Sequence, residues 1–375
     1  MIELTRMLVK CESPSGDKAA LDRFVELVAD TMAPLASIRK LPGGDYGKHL
    51  VCDLRLPRRG KRASGKQVRG TSGQILVLGH SDTVWPVGTL RTMPFRSEEG
   101  RLWGPGVLDM KGGIVLFVFA ARALRELEIP VASRVRLQLN SDEEVGSPSS
   151  RALTEKNARE STAVLVLEPG TGLTGKLKTA RKGVGEYRIV VHGKAAHAGA
   201  DFDAGASATL ELARQIERIC TFTDLANGIT VNPGVISGGT RSNVIAAEAR
   251  AEIDVRVVHP ADARVLEKKF HALRPYDARC SLGVSGGLNR PPMPRSKGTV
   301  RLFQMAQRLA HELGAELEES LSGGGSDGNF TAALGVPTLD GLGVVGEGAH
   351  AATESILVDR MADRAALLTK MMAEL

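Results

Sequence analysis

The spacing of apolar residues changes character once along the chain, near residue 181. Before that point, nearly continuous apolar runs alternate with helix-period stretches. The spacing predicts a helix over 18–32, opened by the turn Ser13-Pro-Ser-Gly-Asp17 with its helix-starting Ser and Asp. Apolar runs at 50–54 and 75–79 predict neighbouring strands of one sheet, and the second is so uniformly apolar that both of its faces are expected to be covered. A helix over 112–127, a strand over 134–140, a helix after Gly146 and a strand over 163–167 continue the alternation. This order implies an α/β domain with helices on both faces of its sheet.

After 181 the predicted strands are half-buried. They fall at 183–193, 229–236, 247–257 and 281–285, with helices over 206–220 and 261–273. The order β-α-β-β-α-β describes a ferredoxin-like α+β module. The segment Arg290-Pro-Pro-Met-Pro-Arg295 reads as a crossing back, and residues 296–375 add a helix, a Gly-rich loop, a strand at 336–339 and a last helix. A small domain, 182–293, thus interrupts a larger one formed by 1–181 and 294–375. Length agrees, because 375 residues exceed the roughly 250–300 at which one core stops growing.

Composition mainly excludes. With 42% apolar and 25% charged residues the chain is not intrinsically disordered. The longest strongly apolar stretch, 114–121, falls well short of the ~20 residues of a membrane span, so no membrane partner is expected. The N-terminus has no basic segment followed by an apolar one, which makes the cytoplasm the expected location. Cys11, Cys52, Cys220 and Cys280 stand far apart without zinc-finger spacing and read as reduced thiols. Part of the net charge of +6 comes from Arg55, Arg58, Arg59, Lys61, Arg62, Lys66 and Arg69. Without interleaved aromatics, that stretch reads as a solvated loop, and no nucleic-acid partner is expected. A non-catalytic basic binding protein is the remote alternative.

Candidate chemistry gathers where strands end. His80, Asp82, Glu143, Glu144 and Glu168 all lie just beyond predicted strand ends, where open α/β sheets collect ligand-binding groups. Asp142, Glu143 and Glu144 are three consecutive carboxylates, whose repulsion calls for cations or solvent. Two imidazoles and three carboxylates suit a pair of zinc or similar divalent ions about 3.5–4 Å apart, with one carboxylate bridging both. Asp109, set among the small residues of Gly-Pro-Gly-Val-Leu-Asp109-Met-Lys-Gly-Gly, is the natural bridge. Asp82, two residues after His80, is placed to accept the second imidazole N–H and fix the ring.

His80-Ser-Asp82, the Asp109 segment, Asp142-Glu143-Glu144, Glu168-Pro, Gly193-Lys-Ala-Ala-His197-Ala-Gly, Gly323-Gly-Gly-Ser-Asp327-Gly and Ala349-His350 together resemble the successive motifs of the M20 metallopeptidases. The resemblance covers the chain in order and is strongest to glutamate carboxypeptidases of the carboxypeptidase G type. It implies a zinc-exopeptidase-like mixed sheet with helices on both faces and an inserted lid and dimerisation domain. It further implies two Zn2+ ions, with Co2+ or Mn2+ also accepted by such ligands. One ion would be held by His80, Asp109 and Glu168, the other by Asp109, Glu144 and His350, with Glu143 as general base. His197 resembles the family histidine that reaches a neighbouring subunit's active site, which implies a homodimer built through the inserted domain. Asn243 and Arg256 match lid residues that hold a C-terminal carboxylate, Lys176 and Arg290 match positions that grip a glutamate side chain, and the loop around Gly324 would line the same pocket. After Lys176 the sequence Leu-Lys-Thr-Ala-Arg-Lys departs from the small and hydroxyl residues usual there, and its added charges either favour acidic substrates or are solvated. A deacylase of N-acyl amino acids or a dipeptidase on the same scaffold is the neighbouring reading, since fold and metals do not fix the acyl group.

Overall fold

The computed structural model describes residues 1–56 and 73–375, so most of the basic stretch over 55–69 lies outside the described residues. The described chain divides into two units. One comprises Met1–Ala180, Arg295–Ser322 and Ser326–Leu375; the other comprises Arg181–Pro294 together with Gly323–Gly325.

The larger unit is organised by a six-stranded sheet whose order is Ala36–Leu41, His49–Leu54, Arg134–Asn140, Gln74–His80, Ala163–Val166, Thr338–Leu339. The last four strands run parallel to one another, and the first two close the other edge antiparallel. Gln74–His80 is central and buried along its whole length, with Val77 paired to Leu137 on one side and to Leu165 on the other. The runs at 50–54 and 75–79 are therefore not neighbours, because Arg134–Asn140 lies between them. A parallel partner requires a crossover connection, and the chain passes through the helix Gly112–Glu126 before filling that slot.

Sequence explains the flanking helices. Asp17 caps Lys18–Met32, its carboxylate accepting the Ala20 N–H at 2.9 Å, and Ser296 caps Lys297–Glu312 through the Thr299 N–H at 3.1 Å. Gly112–Glu126 is apolar on nearly every side and packs against the C-terminal helix Asp359–Glu374. Gly113 permits that helix its close approach to the sheet, since a Cβ there would sit 2.3 Å from the Leu167 carbonyl oxygen. A second sheet, too short in each strand to register as a pattern, joins Arg96–Glu98, Arg101–Trp103, Ser355–Leu357 and Gly346–Glu347.

The smaller unit is an antiparallel sheet of order Thr230–Gly238, Glu248–Val257, Gly183–His192, Ser281–Arg290, with helices Ala208–Cys220 and Pro260–His271. Its core is centred on Tyr187 and Phe270, stacked at 3.9 Å, with Phe222 edge-on at 5.6 Å. The strand expected at 281–285 continues to Arg290, so the crossing back begins at Pro291. Gly323–Gly325 belongs with this unit: the Arg181 guanidinium donates to the Gly324 and Gly325 carbonyls, both at 3.1 Å, and a Cβ on Gly325 would lie 2.7 Å from Arg290 Cδ.

The described cysteines are free thiols, and no described helix is long and apolar enough to cross a membrane.

In the larger unit, two loops beyond the sheet are tied by Arg364 on the C-terminal helix. Only 3% exposed, it donates to the carbonyls of Gly343 (2.9 Å), Gly175 (3.1 Å) and Gly341. Burial pushes its pKa down to about 10, so the cation persists at neutral pH. Arg364→Met fills similar space but leaves three buried carbonyls without donors. We expect a loss of roughly 2–4 kcal/mol, read as a lowered urea midpoint at unchanged slope.

Candidate metal centre

Three parallel strands deliver charged groups to one edge of the sheet. Gln74–His80 ends in His80, Arg134–Asn140 runs on into Asp142, Glu143 and Glu144, and Ala163–Val166 runs on into Glu168. Asp109 and His350 arrive from loops. His350 holds a left-handed backbone, φ +62°, which costs a non-glycine residue energy and persists where surrounding structure enforces it.

The two carboxylate oxygens of Asp109 face different imidazoles. Oδ1 lies 3.0 Å from His80 Nε2, and Oδ2 lies 3.3 Å from His350 Nε2. Glu168 Oε1 approaches His80 Nε2 at 3.4 Å, and Glu144 Oε2 approaches His350 Nε2 at 3.4 Å. Two three-residue groups result, His80–Asp109–Glu168 and Asp109–Glu144–His350, each with its donor atoms within 4.8 Å of one another. Asp109 is common to both. Glu143 belongs to neither group, although it sits beside Glu144 and its negative charge is felt by His80.

The electrostatics call for positive charge at this point. Burial pushes the His80 imidazole down, but hydrogen bonds to Asp109, Asp82 and Glu168 outweigh it and hold the group well above its ordinary value. Hydrogen bonds to Asp109 and Glu144 raise His350 to about 10. Burial pushes Asp109 upward, yet its two imidazole partners hold it far below the carboxylate range. Burial raises Glu144 to about 7, and its Oε1 has no hydrogen-bond partner among the described residues. A buried carboxylate oxygen left without a donor, beside a second carboxylate and an imidazole, is a donor set that divalent ions satisfy.

The surrounding groups hold this arrangement. His80 Nδ1 donates to the backbone oxygen of Asp82 at 2.9 Å, with the Asp82 carboxylate farther off at 3.4 Å. That carboxylate instead accepts the Ser15 hydroxyl (2.7 Å) and the N–H groups of Glu143 (3.2 Å) and Glu144 (3.1 Å). Asp82 thus locks the turn that aims the two glutamates. Asp142 turns away from them and accepts Ser149 N–H (2.6 Å), Ser149 Oγ–H (2.7 Å) and Ser150 N–H (3.2 Å), which removes one of three consecutive carboxylates from the cluster. Behind this turn, buried Asp327 accepts from Asn140 Nδ2 at 2.5 Å and from the Ser147 hydroxyl.

The remaining candidates have these places. Lys176 Nζ pairs with Glu318 at 2.5 Å, in the larger unit. In the smaller unit, Arg256 is held by Asp254 of its own strand at 2.7–2.9 Å. Arg290 is 5% exposed and donates to Asn289 Oδ1 at 2.9 Å. Asn243 and His197 are exposed, and His197 Nδ1 accepts the N–H groups of Gly199 (3.2 Å) and Ala200 (3.0 Å). Lys178 is buried, which excludes the solvated reading for that residue. Sequence reasoning missed Glu354, a buried carboxylate four residues after His350; it stands in the plain run Ala-Ala-Thr-Glu354-Ser, which has no motif or periodicity to mark it.

The chain is similar to known proteins along most of its length. Carboxypeptidase G2 of Pseudomonas sp. (strain RS-16) is 29% identical over 359 residues, covering 93% of this chain and 83% of that protein. A succinyl-diaminopimelate desuccinylase of Legionella pneumophila (strain Lens) is 28% identical over 306 residues, covering 76% of this chain and 79% of its own. Among solved structures, aminopeptidase PepT from Bacillus cereus ATCC 10987 superposes with a TM-score of 0.82 at 22% identity, over 100% of this chain and 97% of that one. The model of peptidase family M20/M25/M40 matches residues 76–374, a span that takes in the whole of both three-residue groups, and the chain therefore belongs to that family and is a metal-dependent hydrolase.

Proposed function

We propose that the chain is a di-zinc exopeptidase that cleaves the amide bond to a C-terminal amino acid, glutamate being the residue we assign. The observation that carries the reading is Asp109, whose two oxygens are turned to two imidazoles, each backed by a further carboxylate. His80, Asp109 and Glu168 would hold one ion, and Asp109, Glu144 and His350 the other. Bound there, such a pair lowers the pKa of water and polarises a carbonyl oxygen. Glu143 takes the proton of the attacking water and returns it to the leaving amine nitrogen. Its backbone is fixed by the Asp82 carboxylate, and its neighbour Glu144 is drawn toward His350, so the two adjacent glutamates divide ligation from proton transfer. His197 is assigned to polarise the substrate carbonyl. Because its Nδ1 accepts two backbone N–H groups, the neutral ring carries its proton on Nε2, the tautomer that donation requires.

Glutamate preference is supported by the likeness to carboxypeptidase G2 and by the cations Lys176 and Arg290, with Asn243 and Arg256 assigned to the substrate's terminal carboxylate and Gly324 to the pocket wall. A deacylase of N-acyl amino acids is the second reading. It is favoured by the desuccinylase relative. A homodimer through the inserted unit is supported by its edge strand Thr230–Gly238, where Val235 and Ile236 are 54% and 57% exposed.

Three outcomes are expected. Glu143→Ala keeps two ions per chain by elemental analysis but loses turnover by roughly 10²–10⁴-fold, whereas His350→Ala loses about one ion; equal metal loss in both would sink the division of roles. Against N-acyl-glutamate, N-acyl-aspartate, N-acyl-leucine, N-acyl-arginine and a folate-type glutamyl amide, chelator-sensitive cleavage is confined to the acidic members, and Lys176→Ala raises KM for them roughly tenfold. Cleavage of neutral or basic members instead assigns the deacylase or dipeptidase branch. Ile236→Glu shifts the mass measured by light scattering from dimer to monomer; an unchanged mass places the contact elsewhere.

A further inference from the structure

Glu354 is a buried carboxylate that neither metal group nor proton transfer uses, and it binds the loop of Asp109. It is 0% exposed, and both of its oxygens are fully engaged. Oε1 accepts the N–H groups of Leu108 (2.8 Å) and Asp109 (3.0 Å), and Oε2 accepts the N–H of Gly106 (3.0 Å) and the indole N–H of Trp85 (2.8 Å). Three of these donors come from four consecutive residues. Backbone N–H groups of a short segment converge on one anion only when the segment is curled, and Gly106 supplies the curl with φ +71°. Any side chain at Gly106 would also meet Thr83 Cγ2 at 2.6 Å, so the loop has no room to relax on that side.

The segment held in this way ends at Asp109, whose own N–H is one of the four donors. Glu354 itself closes the turn over 351–354, shortly after His350, its N–H donating to the Ala351 carbonyl, and the strand Ser355–Leu357 that follows pairs with Arg101–Trp103, just before the held loop. One carboxylate therefore links the loop of the shared ligand to the loop of a terminal ligand. We propose that Glu354 is a positioning residue for the metal centre: it fixes the backbone of Asp109 so that each Asp109 oxygen meets a different imidazole, and it sets the spacing between Asp109 and His350. The assignment rests on the metal-centre reading given above. Negative charge is required because every group facing Glu354 is a donor. An amide of the same shape offers one acceptor oxygen, and its NH2 group would confront two N–H groups that it cannot satisfy.

The test uses the full chain, wild type and Glu354→Gln, stripped with chelator and reloaded with zinc or cobalt. Metal affinity is read by competition with a chromogenic chelator, ligand geometry by the visible spectrum of the cobalt form, and folding by thermal melts in chelator. Glu354→Gln is expected to melt cooperatively, to bind divalent ions roughly 10–100-fold more weakly, and to show a shifted cobalt spectrum. Phe270→Leu, a core truncation in the smaller unit, controls for general loss of stability and keeps the wild-type affinity and spectrum. If Glu354→Gln does not fold, Glu354→Asp keeps both acceptor oxygens one methylene short and is expected to give the same weakened affinity and shifted spectrum. Wild-type affinity and spectrum in the folded Glu354 variant, whatever its melting temperature, overturn the proposal. A wild-type chain that takes up no divalent ion overturns the metal-centre reading itself, and this assignment with it, a result distinct from the first.

Discussion

Everything at the sheet edge depends on one carboxylate facing two ways. Asp109 has imidazole nitrogens at 3.0 and 3.3 Å on its two oxygens, and each nitrogen has a second carboxylate at 3.4 Å. Five side chains from five segments must therefore meet within a few ångströms, His80 and Glu168 buried, Asp109 and Glu144 partly so and His350 exposed, and three of the five are carboxylates. Such a cluster is unfavourable unless each backbone is held independently of the charges it carries. The parallel sheet supplies part of that restraint. Strand spacing and register fix where Gln74–His80, Arg134–Asn140 and Ala163–Val166 end, and so where His80, Glu144 and Glu168 begin.

The rest comes from acidic residues that do not join the cluster. Asp82 holds the backbone of Glu143 and Glu144, Asp142 holds the Ser149–Ser150 turn that follows, Asp327 holds Ser147 and Asn140, and Glu354 holds the Asp109 loop. Each accepts hydrogen bonds from neutral donors, largely backbone N–H groups, so its charge is spread into fixed dipoles rather than aimed at the ligands. The Asp142–Glu143–Glu144 run shows the economy of this scheme. Asp142 turns into a serine turn and Glu144 toward His350, which takes one of the three carboxylates out of the cluster, while the Glu143 charge still helps to raise the Glu144 carboxyl.

Much of this was legible in the sequence because the site follows the strands. A buried strand leaves an apolar run, and the first polar residue beyond it stands out, which is why His80, Glu143, Glu144 and Glu168 were visible as a set. Asp109 was visible through its glycines. Strand adjacency was not: an apolar run states that a strand is covered, never by which neighbour, and so 50–54 and 75–79 were paired across a slot that Arg134–Asn140 fills. Strands of two or three residues, such as Gly346–Glu347 and Ser355–Leu357, are too short for any periodicity. Glu354 was hidden for a related reason, since its partners are backbone N–H groups, which every residue has and no sequence displays.

The cations bearing on substrate choice are read from their exposure rather than from their pairing. Lys176 and Glu318 are 40% and 65% exposed, and Arg256 and Asp254 are 31% and 43% exposed. Ion pairs so open to water are worth about 0–1 kcal/mol, so a substrate carboxylate can replace Glu318 or Asp254 at little cost. Those pairings therefore do not count against an acidic substrate. Arg290 differs, because at 5% exposure its side chain is enclosed by its surroundings. Lys178, which sequence left open as a solvated charge, is likewise buried. Charges fixed in this way act from where they already stand, whereas the exposed cations can turn toward a ligand.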